Sequence, residues 1–182
     1  MNYIEEVLLQ RDLKKKEEFR DWLSFLATAT DDFPMIEALL KLKILDVGCG
    51  AGYLVRQMLE SDLEVYGIDR GYGDHAVPCV PEIWSQFPHH ERFSRCNTDH
   101  LPFVDNFFGI VTSSYILDCG EPNYEELHRV IQEKGVLFMV DSSLDSDYCP
   151  LRAYTARRTM VEDGRFRLLH ENFGSLLLEK RE

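Results

Sequence analysis

Hydrophobic residues along this chain fall into two kinds of pattern, and their alternation predicts the order of its elements. Short apolar runs, such as Phe107–Ser114, are typical of strands that are buried on both faces of a sheet. Segments with apolar residues three and four positions apart, such as Tyr53–Glu60, are typical of helices that pack one face on a core. The predicted strands are Lys43–Val47, Glu64–Asp69, Phe93–Cys96, Phe107–Ser114, Val136–Val140, Arg165–His170 and Ser175–Lys180.

Helical patterns precede the first strand and separate the later ones. Lys134-Gly135 is expected to end the fifth helix, because glycine commonly follows the last helical residue. Strands that alternate with helices and finish as a pair predict an α/β fold, namely a Rossmann-like doubly wound sheet of seven strands, mostly parallel, with an antiparallel last strand. The predicted helices are Tyr3–Ala29 as one helix or two, Met35–Leu42, Tyr53–Glu60, Pro81–Phe87, Pro122–Gln132 and Pro150–Glu162.

Length and charge limit the architecture and the partners. A chain of 182 residues with 45% hydrophobic content suits one domain, which we divide into an N-terminal helical cap, 1–42, and an α/β core, 43–182. A net charge of −12 argues against nucleic acid and anionic membranes as partners, although a local basic patch stays open. Because Met1–Glu6 has no signal-peptide features and no apolar run reaches about 18 residues, we expect a cytoplasmic protein.

Cysteine and histidine spacing gives no indication of a metal site. The five cysteines include no C-x-x-C pair, so reduced thiols are expected. His89-His90 follows Pro88, and we interpret this pair as part of a solvated loop because adjacent side chains point in different directions.

One stretch, Asp46-Val47-Gly48-Cys49-Gly50-Ala51-Gly52, joins a predicted strand to a predicted helix. Glycines at such a junction let the backbone approach a ligand closely, with the N–H groups of a helix start nearby. Asp69 ends the next strand, at about the spacing at which nucleotide-binding α/β folds place a carboxylate on ribose hydroxyls. The G-x-G-x-G spacing differs from the dinucleotide pattern G-x-G-x-x-G.

Three segments in order resemble motifs of one enzyme family. Residues 44–52 resemble motif I of class I S-adenosylmethionine-dependent methyltransferases. Leu101–Ser114 is similar to the L-P-F-x-D-x-x-F-D-h-V segment of the small-molecule, type 11-like members, and Leu127–Leu137 to their L-x-R-V-L-x-P-G-G-x-L element. The resemblance implies S-adenosyl-L-methionine as cofactor and S-adenosyl-L-homocysteine as product.

The resemblance also implies roles for individual residues. Asp46 would orient the amino end of the cofactor, the three glycines would line its methionine portion, and Asp69 would accept hydrogen bonds from both ribose hydroxyls. The expected cofactor-binding residues are Asp46, Gly48, Cys49, Gly50, Gly52, Asp69, Arg70, Asn97, Thr98, Asp99 and Ser113.

The adenine region departs from the family pattern, because Cys96-Asn97-Thr98 stands where Gly-Asp-Ala is common. The Asn97 amide oxygen could still accept from the exocyclic amine of adenine, and the Thr98 N–H could serve a ring nitrogen. Asp99 is a substitute acceptor. Arg70 is expected either over the adenine face or in solvent.

The acceptor side is predicted to contain His75, Tyr115 and Asp118, the candidate catalytic residues. Methyl transfer is an in-line displacement, so a general base is needed only if the acceptor must lose a proton. Asp118-Cys119 stands where many relatives carry His-His, and the Asn/Asp-Pro-Pro-Tyr signature of amino-methyltransferases is absent. His128 and Asp141 are further candidate bases, although His128 is expected on a helix surface.

The sequence leaves the acceptor atom open. Only Ser142–Pro150 separates the fifth strand from the next helix, so the site would be closed by the leading helices, by a second subunit or homo-oligomer contact, or by the acceptor itself. We expect methyl transfer to a small-molecule or natural-product-like acceptor. The alternatives are a non-catalytic scaffold or regulatory subunit that binds the cofactor, and an enzyme that uses the same cofactor for other chemistry.

Overall fold

The computed structural model describes residues 41–70, 83–114, 122–140, 159–172 and 175–182. The predicted Tyr3–Ala29 helix, most of the Met35–Leu42 helix, the start of the Pro81–Phe87 helix and most of the Pro150–Glu162 helix lie outside these ranges. Residues 41–42 are not helical, whereas residues 159–162 are helical, as predicted. Among the described residues, no helix is both long enough and apolar enough to cross a membrane.

The described strands form one seven-stranded sheet in the order β3-β2-β1-β4-β5-β7-β6. The four pairings among β1 to β5 are parallel, and β7 runs antiparallel to both of its neighbours. This confirms the predicted α/β sheet with an antiparallel last strand. The strands are β1 Ile44–Val47, β2 Val65–Asp69, β3 Phe93–Arg95, β4 Phe108–Ser114, β5 Ile131–Val140, β6 Phe166–Asn172 and β7 Ser175–Lys180.

Two α-helices are described over their full length and flank the sheet. Helix α1, Tyr53–Glu60, has the bounds that the apolar pattern predicts, and it buries Leu54, Val55 and Met58 against the sheet. Helix α2, Tyr124–Val130, begins after Asn123. The Asn123 Oδ1 accepts hydrogen bonds from the N–H groups of Glu125 and Glu126, and this N-cap fixes the start of α2.

The prediction that a helix runs to Gln132 and ends at Lys134-Gly135 is wrong. Helix α2 ends at Val130, and β5 begins at Ile131, which is fully buried and pairs with Phe108. The β4–β5 pairing resumes only at Ile110 and Val136. The chain therefore leaves the helix at Ile131, because this residue is buried and paired with β4. Gly135 lies where the pairing between β4 and β5 is interrupted.

Gly135 is required there for space. A Cβ at this position would be 2.8 Å from the Cγ2 of Ile131 and 2.9 Å from the carbonyl oxygen of Gln132. Lys134 has a positive φ of 59°, so the chain turns sharply before it rejoins the sheet. Lys134-Gly135 does form a turn, as its sequence indicates, but the turn lies within an irregular strand and does not end a helix.

Another local prediction also differs from the structure. In the described part of the predicted Pro81–Phe87 helix, only residues 83–84 are helical, and the chain continues through turns to a short 3₁₀ turn at His90–Arg92.

The two faces of the sheet carry separate cores. One contains Leu45, Val47 and Val111 with the apolar face of α2, and the other contains Ile44 with the apolar face of α1. Gly67 of β2 lets the second core close tightly, because a Cβ there would be 2.9 Å from the Cys49 Sγ. The turn between β1 and α1 is thereby held directly against β2.

Candidate cofactor site

Four neighbouring strands bring the predicted cofactor-binding residues to one edge of the sheet. Strands β3, β2, β1 and β4 are adjacent and parallel, so their carboxyl ends lie side by side. In open α/β sheets this edge, where strand order reverses, is where ligands bind. The residues that end or follow these strands are Gly48–Gly52 after β1, Asp69 and Arg70 at β2, Asn97–Asp99 after β3, and Ser113 in β4.

The glycine turn is anchored to β2 by its backbone. The N–H groups of Gly48 and Cys49 both donate to the Ile68 carbonyl, at 2.9 and 3.0 Å. Gly48, Gly50 and Gly52 have φ values of 76°, 54° and 83°. Because L-residues with side chains rarely adopt these values, the turn requires its glycines.

Gly50 is the point at which the turn meets β2. Its N–H donates to the Asp69 Oδ2 at 2.9 Å, which joins the turn to the predicted ribose-binding carboxylate. A Cβ at Gly50 would meet no atom of the described residues within 4 Å. The same construction on Gly52 would place a Cβ 2.8 Å from the Cζ of Phe93. Gly50 therefore borders open space, whereas the Phe93 ring fills the corresponding space beside Gly52.

Asp46 and Ser113 lie on opposite faces at the carboxyl edge. Asp46 is 2% exposed and is in register with Gly67 and Thr112. It shares the face of Ile44, which is the α1 face, because side chains alternate along a strand. Ser113 shares the α2 face with Val111, and within the described residues its buried Oγ has no hydrogen-bond partner.

Cys49 contributes to the turn through its backbone. Its side chain is buried in the core beneath α1, and its Sγ lies 3.8 Å from the Gly50 carbonyl oxygen. The thiol is therefore placed on the core side of the turn. Cys49 and Cys96 are both free thiols.

On the predicted adenine side, Asn97 and Asp99 bind each other. The Asn97 Nδ2 donates to the Asp99 Oδ2 at 2.6 Å, and the Asp99 N–H donates to the Asn97 Oδ1 at 3.2 Å. Both residues are exposed. The Asn97 oxygen has a second lone pair, so this turn leaves it able to accept from a ligand.

Thr98 and Arg70 have other contacts. The Thr98 hydroxyl is buried and accepts from the Asn123 N–H at 3.0 Å, which ties the loop after β3 to the start of α2. Arg70 is exposed, and its carbonyl accepts from the Arg95 Nε at 3.1 Å. The role that was predicted for Thr98 uses its backbone N–H, so it does not depend on this hydroxyl.

Arg129 is a residue whose importance the motifs alone did not indicate. Its guanidinium binds both carboxylate oxygens of Glu126 at 2.8 Å, the carbonyls of Leu101 and Phe103, and the carboxylate of Asp105. Glu126 also accepts from the Leu101 N–H at 2.9 Å. These hydrogen bonds lower the pKa of Glu126 to about 2. The L-P-F segment is therefore fastened to α2 by one side chain.

Two aromatic residues beneath the glycine turn were also not singled out from the sequence. The Trp84 indole N–H donates to the Gly50 carbonyl at 3.0 Å, and the ring stacks on Phe93 with centroids 5.3 Å apart. The only sequence signal was a tryptophan in a short predicted helix.

The predicted catalytic residues His75, Tyr115 and Asp118, and the further candidate Asp141, lie outside the described residues and stay predictions. His128 is placed elsewhere. Its Nε2 lies 3.3 Å from the Arg181 carbonyl and its ring meets Phe166 edge-on, near the amino end of β5. This is the opposite edge of the sheet from the glycine turn, and burial lowers the pKa of the imidazole there.

The sheet order and the glycine turn beside an acidic strand end define the class I S-adenosylmethionine-dependent methyltransferase fold. The family model described as a methyltransferase domain matches residues 45–139, more than half of the chain. The chain therefore belongs to the methyltransferase domain family. Membership implies S-adenosyl-L-methionine as the cofactor.

Solved structures of methyltransferases share the fold. One from Aquifex aeolicus, described as S-adenosylmethionine-dependent, is 20% identical to this chain with a TM-score of 0.59. The alignment covers 81% of this chain and 88% of the Aquifex chain. One from Methanosarcina mazei is 17% identical with a TM-score of 0.55, covering 82% and 98%. The antibiotic-resistance methyltransferase Kmr is 18% identical with a TM-score of 0.56, covering 80% and 92%. No curated protein sequence gives a significant match.

Proposed function

We propose that this protein binds S-adenosyl-L-methionine at the carboxyl edge of β1 and β2 and transfers its methyl group to a small-molecule acceptor, such as a natural-product-like intermediate. The observation that carries the proposal is the 2.9 Å contact between the Gly50 N–H and the Asp69 carboxylate, beside open space over Gly50. The contact holds the ribose-binding group at the point where the backbone leaves room for a ligand.

The residues at this edge suit the two polar ends of the cofactor. A carboxylate presents two acceptor oxygens, so Asp69 can receive hydrogen bonds from adjacent ribose hydroxyls. Asp46, buried between β2 and β4, provides a negative charge for an ammonium group. Asn97 and Asp99 provide oxygen acceptors for the exocyclic amine of adenine.

The protein's part in the reaction is to position the reactants. The bound cofactor supplies an activated methyl group on a sulfonium. Asp46 and Asp69 would hold that cofactor from strands on the same edge, and Ser113 lies on the neighbouring strand β4, in register with Val47. Positioning of this kind can account for much of the acceleration of a displacement reaction. His75, Tyr115 and Asp118 are proposed to face the acceptor and to accept a proton where its chemistry requires this.

Charge supports the choice of acceptor and partners. The net charge of −12 favours neutral or cationic small molecules and disfavours nucleic acid and anionic membranes. We also propose that the leading helices or a second subunit close the site over a small acceptor.

Calorimetric titration tests cofactor binding. We expect S-adenosyl-L-methionine and S-adenosyl-L-homocysteine to bind and NAD⁺ to give no heat, because the turn lacks the dinucleotide spacing. Absence of binding by both sulfur compounds would overturn the proposal.

Incubation with methyl-labelled cofactor and fractionated small metabolites tests catalysis. Label that appears in a small product with wild type but not with Asp69→Ala supports the enzyme. Cofactor binding with no labelled product from any fraction would instead support a scaffold or regulatory subunit.

A further inference from the structure

Both peptide groups of Gly50 are held by side chains from other parts of the chain. Its N–H donates to the Asp69 Oδ2 at 2.9 Å, and its carbonyl accepts from the Trp84 Nε1 at 3.0 Å. Trp84 is 34 positions away in sequence and Asp69 is 19 positions away. One glycine therefore joins the end of β2 to the segment that precedes β3.

These two hydrogen bonds help to fix Gly50. The Cys49 carbonyl, on the peptide that carries the Gly50 N–H, also accepts from the Gly52 N–H at 2.9 Å. Glycine has the widest backbone freedom of any residue, and among the described residues no atom lies within 4 Å of the position that a Cβ would take. Packing at that position therefore does not fix Gly50 as it does Gly52, where the Phe93 ring fills the corresponding space. The Trp84 indole holds the Gly50 carbonyl, on the next peptide, so loss of that hydrogen bond would let this peptide rotate.

Trp84 itself is held rigidly. Its side chain is 4% exposed, and its ring lies 21° from parallel to Phe93, the first residue of β3. The same phenylalanine supports Gly52. Stacking on Phe93 therefore orients the Trp84 indole so that its N–H reaches the Gly50 carbonyl. The two rings contact the glycine turn at Gly50 and Gly52.

We infer that Trp84 is a positioning residue of the cofactor site, acting through Gly50 to hold the Asp69 carboxylate in the orientation that receives the ribose. This inference rests on the proposed cofactor site. Trp84 touches the turn from the core side, so it affects ligand affinity without contacting the ligand.

Trp84→Phe removes the indole N–H and keeps an aromatic ring against Phe93. Phe87→Leu is the matched control, because Phe87 packs on Phe93, with centroids 6.1 Å apart, but is bonded to neither Gly50 nor Asp69. We expect Trp84→Phe to weaken S-adenosyl-L-homocysteine binding about tenfold, as loss of one hydrogen bond to a partly buried carbonyl predicts. Phe87→Leu should change the melting temperature by a similar amount but leave the Kd within about twofold of wild type.

A second readout separates this inference from the proposed function. Exchange of the Gly50 amide hydrogen, measured by NMR in the ligand-free protein, should be faster in Trp84→Phe than in wild type or Phe87→Leu. If wild type does not bind the cofactor, the proposed function fails, and the exchange rate then shows separately whether Trp84 holds Gly50 in place.

Equal Gly50 exchange in wild type and Trp84→Phe would overturn the inference, as would an unchanged Kd in a wild type that binds. Should Trp84→Phe not fold, the benzothienyl analogue of tryptophan at position 84 makes the same comparison, because it replaces the N–H with sulfur and keeps the shape of the ring.

Discussion

The Asp69 carboxylate accepts a hydrogen bond from the Gly50 N–H, and this contact joins the turn after β1 to the end of β2 at the edge where a ligand would bind. One oxygen of the carboxylate is therefore already oriented by the protein. The group need not be ordered when a ligand arrives, which reduces the entropic cost of binding.

Asp69→Asn should separate the charge of this group from its shape. The amide oxygen can still accept from Gly50, but the second acceptor and the negative charge are lost. We expect the affinity for S-adenosyl-L-homocysteine to fall by about tenfold or more, with the stability nearly unchanged. Calorimetric titration measures the affinity. Asp62→Asn, at an exposed turn, serves as the control, and equal affinity of the two variants would contradict the role of Asp69.

Gly50→Ala and Gly164→Ala form a matched pair. Both glycines have positive φ, 54° and 83°, and no atom in the part of the chain that the structure describes lies within 4 Å of either new methyl group. Each substitution should cost about 1–2 kcal/mol of unfolding free energy from backbone strain alone. Only Gly50→Ala should also abolish cofactor binding, because its methyl group enters the ligand space. Chemical denaturation and titration of both variants would show this, and retained binding by Gly50→Ala would refute it.

Arg129→Lys should destabilise the fold because lysine cannot reproduce the planar fork of guanidinium donors. The expected loss is about 2–3 kcal/mol of unfolding free energy, since several hydrogen bonds to partly buried groups are lost. Arg165→Lys is the control, because Arg165 pairs with exposed Glu125 and should cost less than about 1 kcal/mol. Urea denaturation gives both values, and similar costs would contradict a special role for Arg129.

Glu126 should make stability fall in acid. Its pKa in the folded protein is about 2, below the ordinary value of 4.5. A lowered pKa contributes stability that is fully present above the unfolded-state value and disappears as the pH falls through the folded-state value. The difference in unfolding free energy between wild type and Glu126→Gln should therefore be constant near neutral pH and shrink between pH 4.5 and about 2.

Urea denaturation at several pH values measures this difference. Glu60→Gln, which alters an exposed pair with Arg56, should show little effect at any pH. A wild-type advantage over Glu126→Gln that stays the same down to pH 2 would contradict the assignment.

Local signals were sufficient for much of the sheet. The bounds of α1 and of β7 follow from apolar spacing and from glycine or polar residues at their ends. The boundary between α2 and β5 could not be predicted, because the burial of Ile131 against Phe108 is a tertiary effect that outweighs the nearby glycine signal.

The candidate site also contains residues that the sequence predicts and residues that it does not. Asp46 and Gly50 lie in one contiguous motif, and Asp69 ends the next predicted strand at a characteristic spacing, so their shared edge could be anticipated. The Thr98 hydroxyl and Trp84 act on partners 25 and 34 positions away, respectively. No pattern within one segment reports such contacts, and only the folded arrangement of β3 and α2 shows them.

The hydrogen bonds of Arg129 also limit which loops of this fold can change in length. Its guanidinium spans Leu101, Phe103 and Asp105 from a single point on α2, so an insertion between residues 101 and 105 would separate groups that it binds together. Lengthening this loop would leave donors and acceptors unpaired. Insertions should therefore accumulate in other connections, while this loop keeps its length.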